Sequence, residues 1–234
     1  VDLWYRTNPS LGTILRERTI RSEDARNKLD FVIQRLGYWH SYELKSEITQ
    51  ADWLGLQAQR LPGLKGKMFC GIKFGADGKN VSLSIAIHTN DDKVFVETYG
   101  CNSQAKGFAW LVSFVSKPGV YAVAIDGKGK TELLTEALKQ AKAKAKVVIP
   151  TTADAITAYA GFRQAIDEET IVHMPQPAVT QAISNCEKRM IGTNGAFGFR
   201  SIKEGVDVSI VESLALAYWL RSTTTERRKQ KIGY

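Results

Sequence analysis

The 234-residue chain is 44% hydrophobic, 24% charged and 9% aromatic, which supplies a sizeable core and excludes wholesale disorder. Its 32 Lys and Arg outnumber 24 Asp and Glu, and the formal net charge of +8 favours a polyanionic partner, since a basic surface gains affinity by releasing counterions from phosphates. Three scattered cysteines (Cys70, Cys101, Cys186) without a CxxC pair argue for a reducing, intracellular setting and against structural zinc, and no apolar run approaches a membrane span.

The first ten residues, VDLWYRTNPS, carry no secretory pattern, and a start at Val1 rather than Met reads as a piece of a longer polypeptide. Residues 1–66 are rich in charge and Trp. Within them Ala25, Leu29, Val32, Ile33 and Leu36 recur at helical spacing behind a Ser22 N-cap, which predicts a helix over 22–36. The segments around Trp39 and Trp53 have no clear period, and Leu61-Pro-Gly-Leu-Lys-Gly-Lys67 reads as a linker. A mostly helical N-terminal arm, or the end of a preceding domain, is expected over 1–66, with the main domain over 67–234.

From Met68 the pattern switches to strands. Met68–Phe74, Val81–His88 and Val94–Tyr99 are separated by GADGKN and TNDDK, short turn-forming connections that predict an antiparallel meander. A helix is expected over 104–116, then a strand over 121–125, a helix over 131–144, a short strand over 147–149 and a helix over 152–168. Another helix is read over 176–189, from Val179, Ala182, Ile183 and Cys186. A Gly-rich segment, IGTNGAFGFRS, follows, and a last helix over 208–221 leads into the basic tail TERRKQKIGY. Three antiparallel strands followed by parallel αβ units are the element order of a ribonuclease-H-like mixed sheet flanked by helices. In that fold the carboxyl ends of the first and fourth strands meet, here at Phe74 and Asp126.

Asp126 ends a buried strand and precedes a Gly-Lys loop, where an α/β fold places its chemistry. Two readings compete for it. A two-metal nuclease needs several acids converging on one spot, so that shared carboxylate oxygens hold two divalent cations. Asp126 and Asp207 are its first candidates. Asp207 precedes the apolar run VSIVESLALAYWL and also suits a helix N-cap, and the two roles can coexist. Asp77, in the turn after the first strand, can approach Asp126, although Asp-Gly is also ordinary hairpin chemistry. Glu204 and Glu212 are secondary candidates, and Glu97 reads as a solvated strand residue. His40, His88 and His173 lack any metal-ligand spacing and read as structural.

The rival reading is nucleotide binding by residues 124–131, AIDGKGKT, a relaxed phosphate-loop pattern with Ala in place of its first Gly. Its weakness is Asp126, a fixed negative charge inside the loop that would wrap phosphate. Lys128 and Lys130 read better as contacts to a DNA backbone.

Taken together, WYRTNPSLG, LDFVIQRLGYW, FCGIKFGADG, AVAIDG, VIPTTADAITAYAGF, IVHMPQPAVTQAISNCEKR and GVDVSIVESLALAYW resemble, in order and spacing, the C-terminal half of the large terminase subunit of tailed bacteriophages. The resemblance implies a nuclease domain preceded by the end of an ATPase domain and its linker. It also implies cleavage of double-stranded concatemeric DNA with two Mg2+ or Mn2+ ions and little sequence specificity. The expected partners are the ATPase domain of the same polypeptide, the small terminase subunit and the portal, with no membrane. The expected setting is the host cytoplasm, with transient docking on the procapsid.

By the same resemblance Asp126 falls on the family's second acid and Asp207 on its C-terminal acid, while the first acid's place holds Lys73. A lysine offers no metal oxygen there. Either Asp77 substitutes, with Lys73 on the scissile phosphate, or the domain is a catalytically silent DNA-gripping module. Lys73, Lys128, Lys130, Arg227, Arg228 and Lys229 are the expected phosphate contacts.

Overall fold

A computed structural model describes residues 46–127, 129–192, 195–203 and 205–224, which belong to one compact unit spanning Lys45–Tyr234. The expected helix over 22–36 and the segment around Trp39 lie outside the described residues.

Six strands form one mixed sheet: β1 (Leu64–Phe74), β2 (Asn80–Thr89), β3 (Val94–Ser103), β4 (Val120–Asp126), β5 (Lys146–Val148) and β6 (Ile171–Val172). Their order across the sheet is β5-β4-β1-β2-β3-β6. The β1–β2 and β2–β3 pairs are antiparallel, whereas β4 lies parallel to both β1 and β5. This is the ribonuclease-H-like arrangement, with β1 in the middle and β4 beside it. Both strands are buried on both faces, so they read as continuous apolar runs rather than as alternation.

Helices cover the two faces. On one lie α2 (Ala109–Val115) and α3 (Thr131–Gln140), whose Leu111, Phe114, Leu134 and Leu138 pack with Cys70, Ile72, Val123 and Ile125. The alternate residues Phe69, Ala122 and Ala124 face the other side. There they meet α4 (Thr152–Asp167) and α6 (Ser209–Thr223). The α6 helix is apolar around most of its circumference and is buried over nearly its whole length, as a helix laid between a sheet and other helices must be. Beside Leu216 and Leu220, part of its contact with the sheet is made by small groups. Ser209 bonds Ser82 at 2.7 Å, Ser213 bonds Ser84 at 2.6 Å, and Ser84 bonds Thr98 at 3.0 Å, so these buried hydroxyls satisfy one another. No helix among the described residues is long and apolar enough to cross a membrane.

Several elements differ from expectation. The linker expected over 61–67 contributes Leu64–Lys67 to β1, which irregular pairing after Lys65 and a positive φ at Gly66 allow. The helix expected over 104–116 is a single 3-10 turn followed by α2, because Gly107 at φ 72° breaks the run. The helix expected over 176–189 stops early, as α5 (Pro177–Ile183). Its continuation is β7 (Cys186–Met190), paired with β8 (Phe197–Ser201) as a separate hairpin. Cys186 is buried as the helical period required, but from a strand. Trp53, on the short helix α1 (Gln50–Gly55), is 1% exposed and stacks on His173 at 3.9 Å between ring centroids.

Candidate active site

The parallel β1–β4 ladder sets Lys73 opposite Asp126, the last residue of β4. Residues of one rung share a face, and both side chains lie on the α6 side. The Lys73 ammonium donates to Asp126 Oδ2 at 2.5 Å, reaches Tyr159 Oη on α4 at 3.4 Å, and lies 3.7 Å from Glu212 Oε2 on α6. An ammonium taken so far out of water survives only if it is paired, and this one has three oxygen neighbours. The Lys73 side chain is 15% exposed, that of Asp126 28% and that of Glu212 8%, so Asp126 is the member that opens outward.

Burial pushes the Glu212 carboxyl well above the usual range, with Lys73 pulling it down and Asp126 pushing it further up. Burial also raises the Tyr159 phenol, with Glu212 and Asp126 adding to the effect. The proximity of Glu212 to Lys73 has a backbone cause. Gly71, two residues before Lys73, has no side chain, and a Cβ there would stand 2.1 Å from the Ser213 carbonyl oxygen. The missing side chain lets α6 settle directly on β1.

Two further acids, Asp207 and Asp77, approach Gly75, two residues beyond Lys73. Asp207 lies one residue before Val208, the N-cap of α6, which makes no side-chain capping bond. Its Oδ1 accepts from the Ser209 amide at 2.8 Å, an Asx turn leading into the helix in place of the expected N-cap. Its Oδ2 has the Cys101 thiol at 3.8 Å, and burial keeps that thiol above its ordinary pKa. Asp77, exposed in the β1–β2 turn, accepts from the Lys79 amide at 2.9 Å, as hairpin chemistry predicts. The two acids converge on Gly75. A Cβ at Gly75 would lie 3.2 Å from Asp77 Oδ1 and 3.6 Å from Asp207 Oδ2. The bare glycine leaves a cradle between two carboxylate oxygens.

Oxygen donors of this kind suit a hard divalent cation, and Mg2+ is commonly held by one or two carboxylates with water and substrate phosphate completing its shell. Asp77 and Asp207 are the two acids near Gly75 whose oxygens could be offered to one such ion. The Asp126–Glu212 pair does not fit a second, because Lys73 already stands between them. Among the described residues no three His, Cys, Asp or Glu side chains form a group that could hold a metal by themselves.

The other candidates are placed as follows. Lys130 is exposed in the loop after Asp126, at the N-cap of α3. Lys128, Glu204, Arg227, Arg228, Lys229 and His40 lie outside the described residues. Glu97 is half-buried on β3, and burial raises its carboxyl. The His173 ring nitrogens face the Trp53 and Met174 carbonyls, and His88 Nδ1 faces the Lys93 carbonyl. In the 124–131 segment Thr131 donates its hydroxyl to the Gly127 carbonyl at 2.7 Å and Asp126 is held by Lys73, so the nucleotide reading gains no support. The role of Glu212 beside Lys73 is the feature that spacing could not assign, since its partner lies 139 positions away in the chain.

No protein-family model matches the chain, and no curated protein matches it. Solved structures do. The large terminase of HK97 bacteriophage superposes with a TM-score of 0.61 at 13% identity, over 94% of this chain and 53% of that one, so the chain spans about half of that protein's length. The large terminase nuclease of thermophilic phage G20c with bound magnesium gives a TM-score of 0.52 at 15% identity, over 75% of this chain and 97% of that one. The nuclease domain of the large terminase subunit of bacterial virus Sf6 gives 0.51 at 11% identity, over 77% of this chain and 100% of that one. The described chain therefore has the ribonuclease-H-like fold of the large terminase nuclease domains of several phages.

Proposed function

We propose that this chain is the nuclease domain of a DNA-packaging terminase and that it hydrolyses phosphodiesters of double-stranded DNA with a divalent cation, Mg2+ or Mn2+. The observation that carries this reading is the Asp77–Asp207 cradle over Gly75, beside Asp126 at the end of the central strand pair. A bound divalent cation would supply positive charge against the scissile phosphate and a more acidic water.

The chain's own residues do the rest. Asp77 and Asp207 hold the ion, and Asp126, open to solvent on one side, orients water toward the phosphate. Lys73 balances the charge of Asp126 and Glu212 at the back of the site. Lys130, with Lys128 and the Arg227-Arg228-Lys229 segment, grips backbone phosphates. Such contacts position DNA without reading bases, so cutting is largely indifferent to sequence. The ATPase domain of the same polypeptide, the small subunit and the portal are the proposed partners, on a procapsid in the host cytoplasm.

The test is nicking of supercoiled plasmid in Mn2+ by the wild-type chain, Asp77→Asn and Asp207→Asn. Both variants should lose cutting while keeping their circular dichroism. Full cutting by both would remove the cradle from the mechanism. A second reading, a silent DNA-gripping module, is favoured by one specific observation, the Lys73 ammonium lying where a metal would be shared. It predicts DNA binding with no nicking in any divalent cation.

A further inference from the structure

The cluster behind the cradle contains more cation chemistry than a single-ion site needs. Lys73 Nζ lies 2.5 Å from Asp126 Oδ2, 3.7 Å from Glu212 Oε2 and 3.4 Å from Tyr159 Oη. Those oxygens come from three separate elements, β4, α6 and α4, and all point at one nitrogen. Lysine is seldom buried, and an ammonium costs several kcal/mol to desolvate unless oxygens replace its water. Three N–H donors among three oxygen neighbours meet that condition.

The same geometry seen from the acids is that of two carboxylates gathered around a point charge, one of them almost wholly buried. A divalent ion could not share this position with the ammonium, because two cations a few ångströms apart in a poorly solvated site repel strongly.

We infer that the Lys73 ammonium takes the place of a second divalent ion between Asp126 and Glu212, so that the chain works with one exchangeable metal and one built-in cation. This deepens the reading of Asp77 and Asp207 as a metal site, and it makes Lys73 a positioning residue that sets where Asp126 points. Its loss should expose a vacant pair of carboxylates that takes up a metal instead.

The experiment is calorimetric titration with Mn2+ alone, on the whole chain as wild type, Lys73→Ala, Lys73→Arg and the double variant Lys73→Ala/Glu212→Gln. The expected stoichiometry is one ion for wild type and Lys73→Arg, two for Lys73→Ala, and one again for the double variant. Where Lys73→Ala is too unstable to titrate, Mn2+ should raise its Tm by more than it raises the wild-type Tm, since an ion that binds the folded state stabilises it. The inference is overturned if Lys73→Ala binds no more Mn2+ than wild type and gains no extra Tm, or if wild type itself binds two. Wild type binding none while Lys73→Ala binds one would sink the cradle as a metal site and leave Lys73 as the occupant of a cation position.

Discussion

Gly71 in β1 lies directly beneath Ser213 in α6, so close that a side-chain carbon at Gly71 would stand 2.1 Å from the Ser213 carbonyl and 2.5 Å from the Ala217 amide. Both of those atoms are backbone, which cannot rotate away. This approach fixes the height of α6 over the sheet and therefore the reach from Lys73 to Glu212. Gly71→Ala should destabilise the chain by about 3 kcal/mol or more, the upper end of overpacking costs. Urea denaturation checks it, and an unchanged midpoint would mean that α6 can shift freely.

Asp126 turns its Oδ2 to Lys73 while its side chain stays 28% exposed, and in the proposed reaction its other oxygen faces the substrate. Asp126→Asn keeps the shape and removes the charge. Nicking in Mn2+ should fall by at least about 100-fold, the scale of losing one electrostatic contact to a transition state. Retention of wild-type rate at equal folded fraction would take Asp126 out of the chemistry.

The Glu212 carboxyl yields a pH dependence with a definite sign. Burial raises its folded-state pKa above the ordinary 4.5, so the folded chain holds the proton more tightly than the unfolded chain. The resulting stability is fully present below that ordinary value and is lost as pH rises through the folded one. Glu212→Gln has no proton to lose. Relative to wild type, the variant should therefore gain stability as pH rises above 4.5. Unfolding curves for the two proteins that run parallel across that window would show that Lys73 cancels the burial penalty.

Lys130 stands exposed where the chain leaves the site. If it meets one DNA phosphate, Lys130→Glu should weaken binding to all sequences alike and reduce the slope of log K against log salt by about 0.9. Fluorescence anisotropy of a labelled duplex from low to moderate salt measures both. An unchanged slope would place the DNA elsewhere.

The sheet was legible in the sequence because its strands are apolar runs bounded by Gly, Asn and Asp turns, and because the meander comes before the αβ units. Asp126 and Asp207 stood out for the same reason, as charges at the ends of apolar runs. What escaped was tertiary. Trp53 sits in a stretch with no period, and contacts distant in sequence, among them His173 and Phe162, tie it to the core. Cys186 satisfies a helical spacing yet belongs to a strand, because one buried residue fits either period. Lys73 could be seen to offer no metal oxygen, but its three oxygen neighbours lie 53, 86 and 139 positions away, and no local pattern encodes such a meeting.

The serine and threonine contacts under α6 bear on mechanics as well as on stability. A helix seated by interdigitated leucines can re-pack after sliding one turn, since one apolar notch resembles the next. A helix seated hydroxyl to hydroxyl cannot, because every small step along its axis leaves several buried oxygens without partners at once. Such a helix acts as a strut, so a displacement of its far end at Thr223 would carry Glu212 with it rather than be lost in slippage.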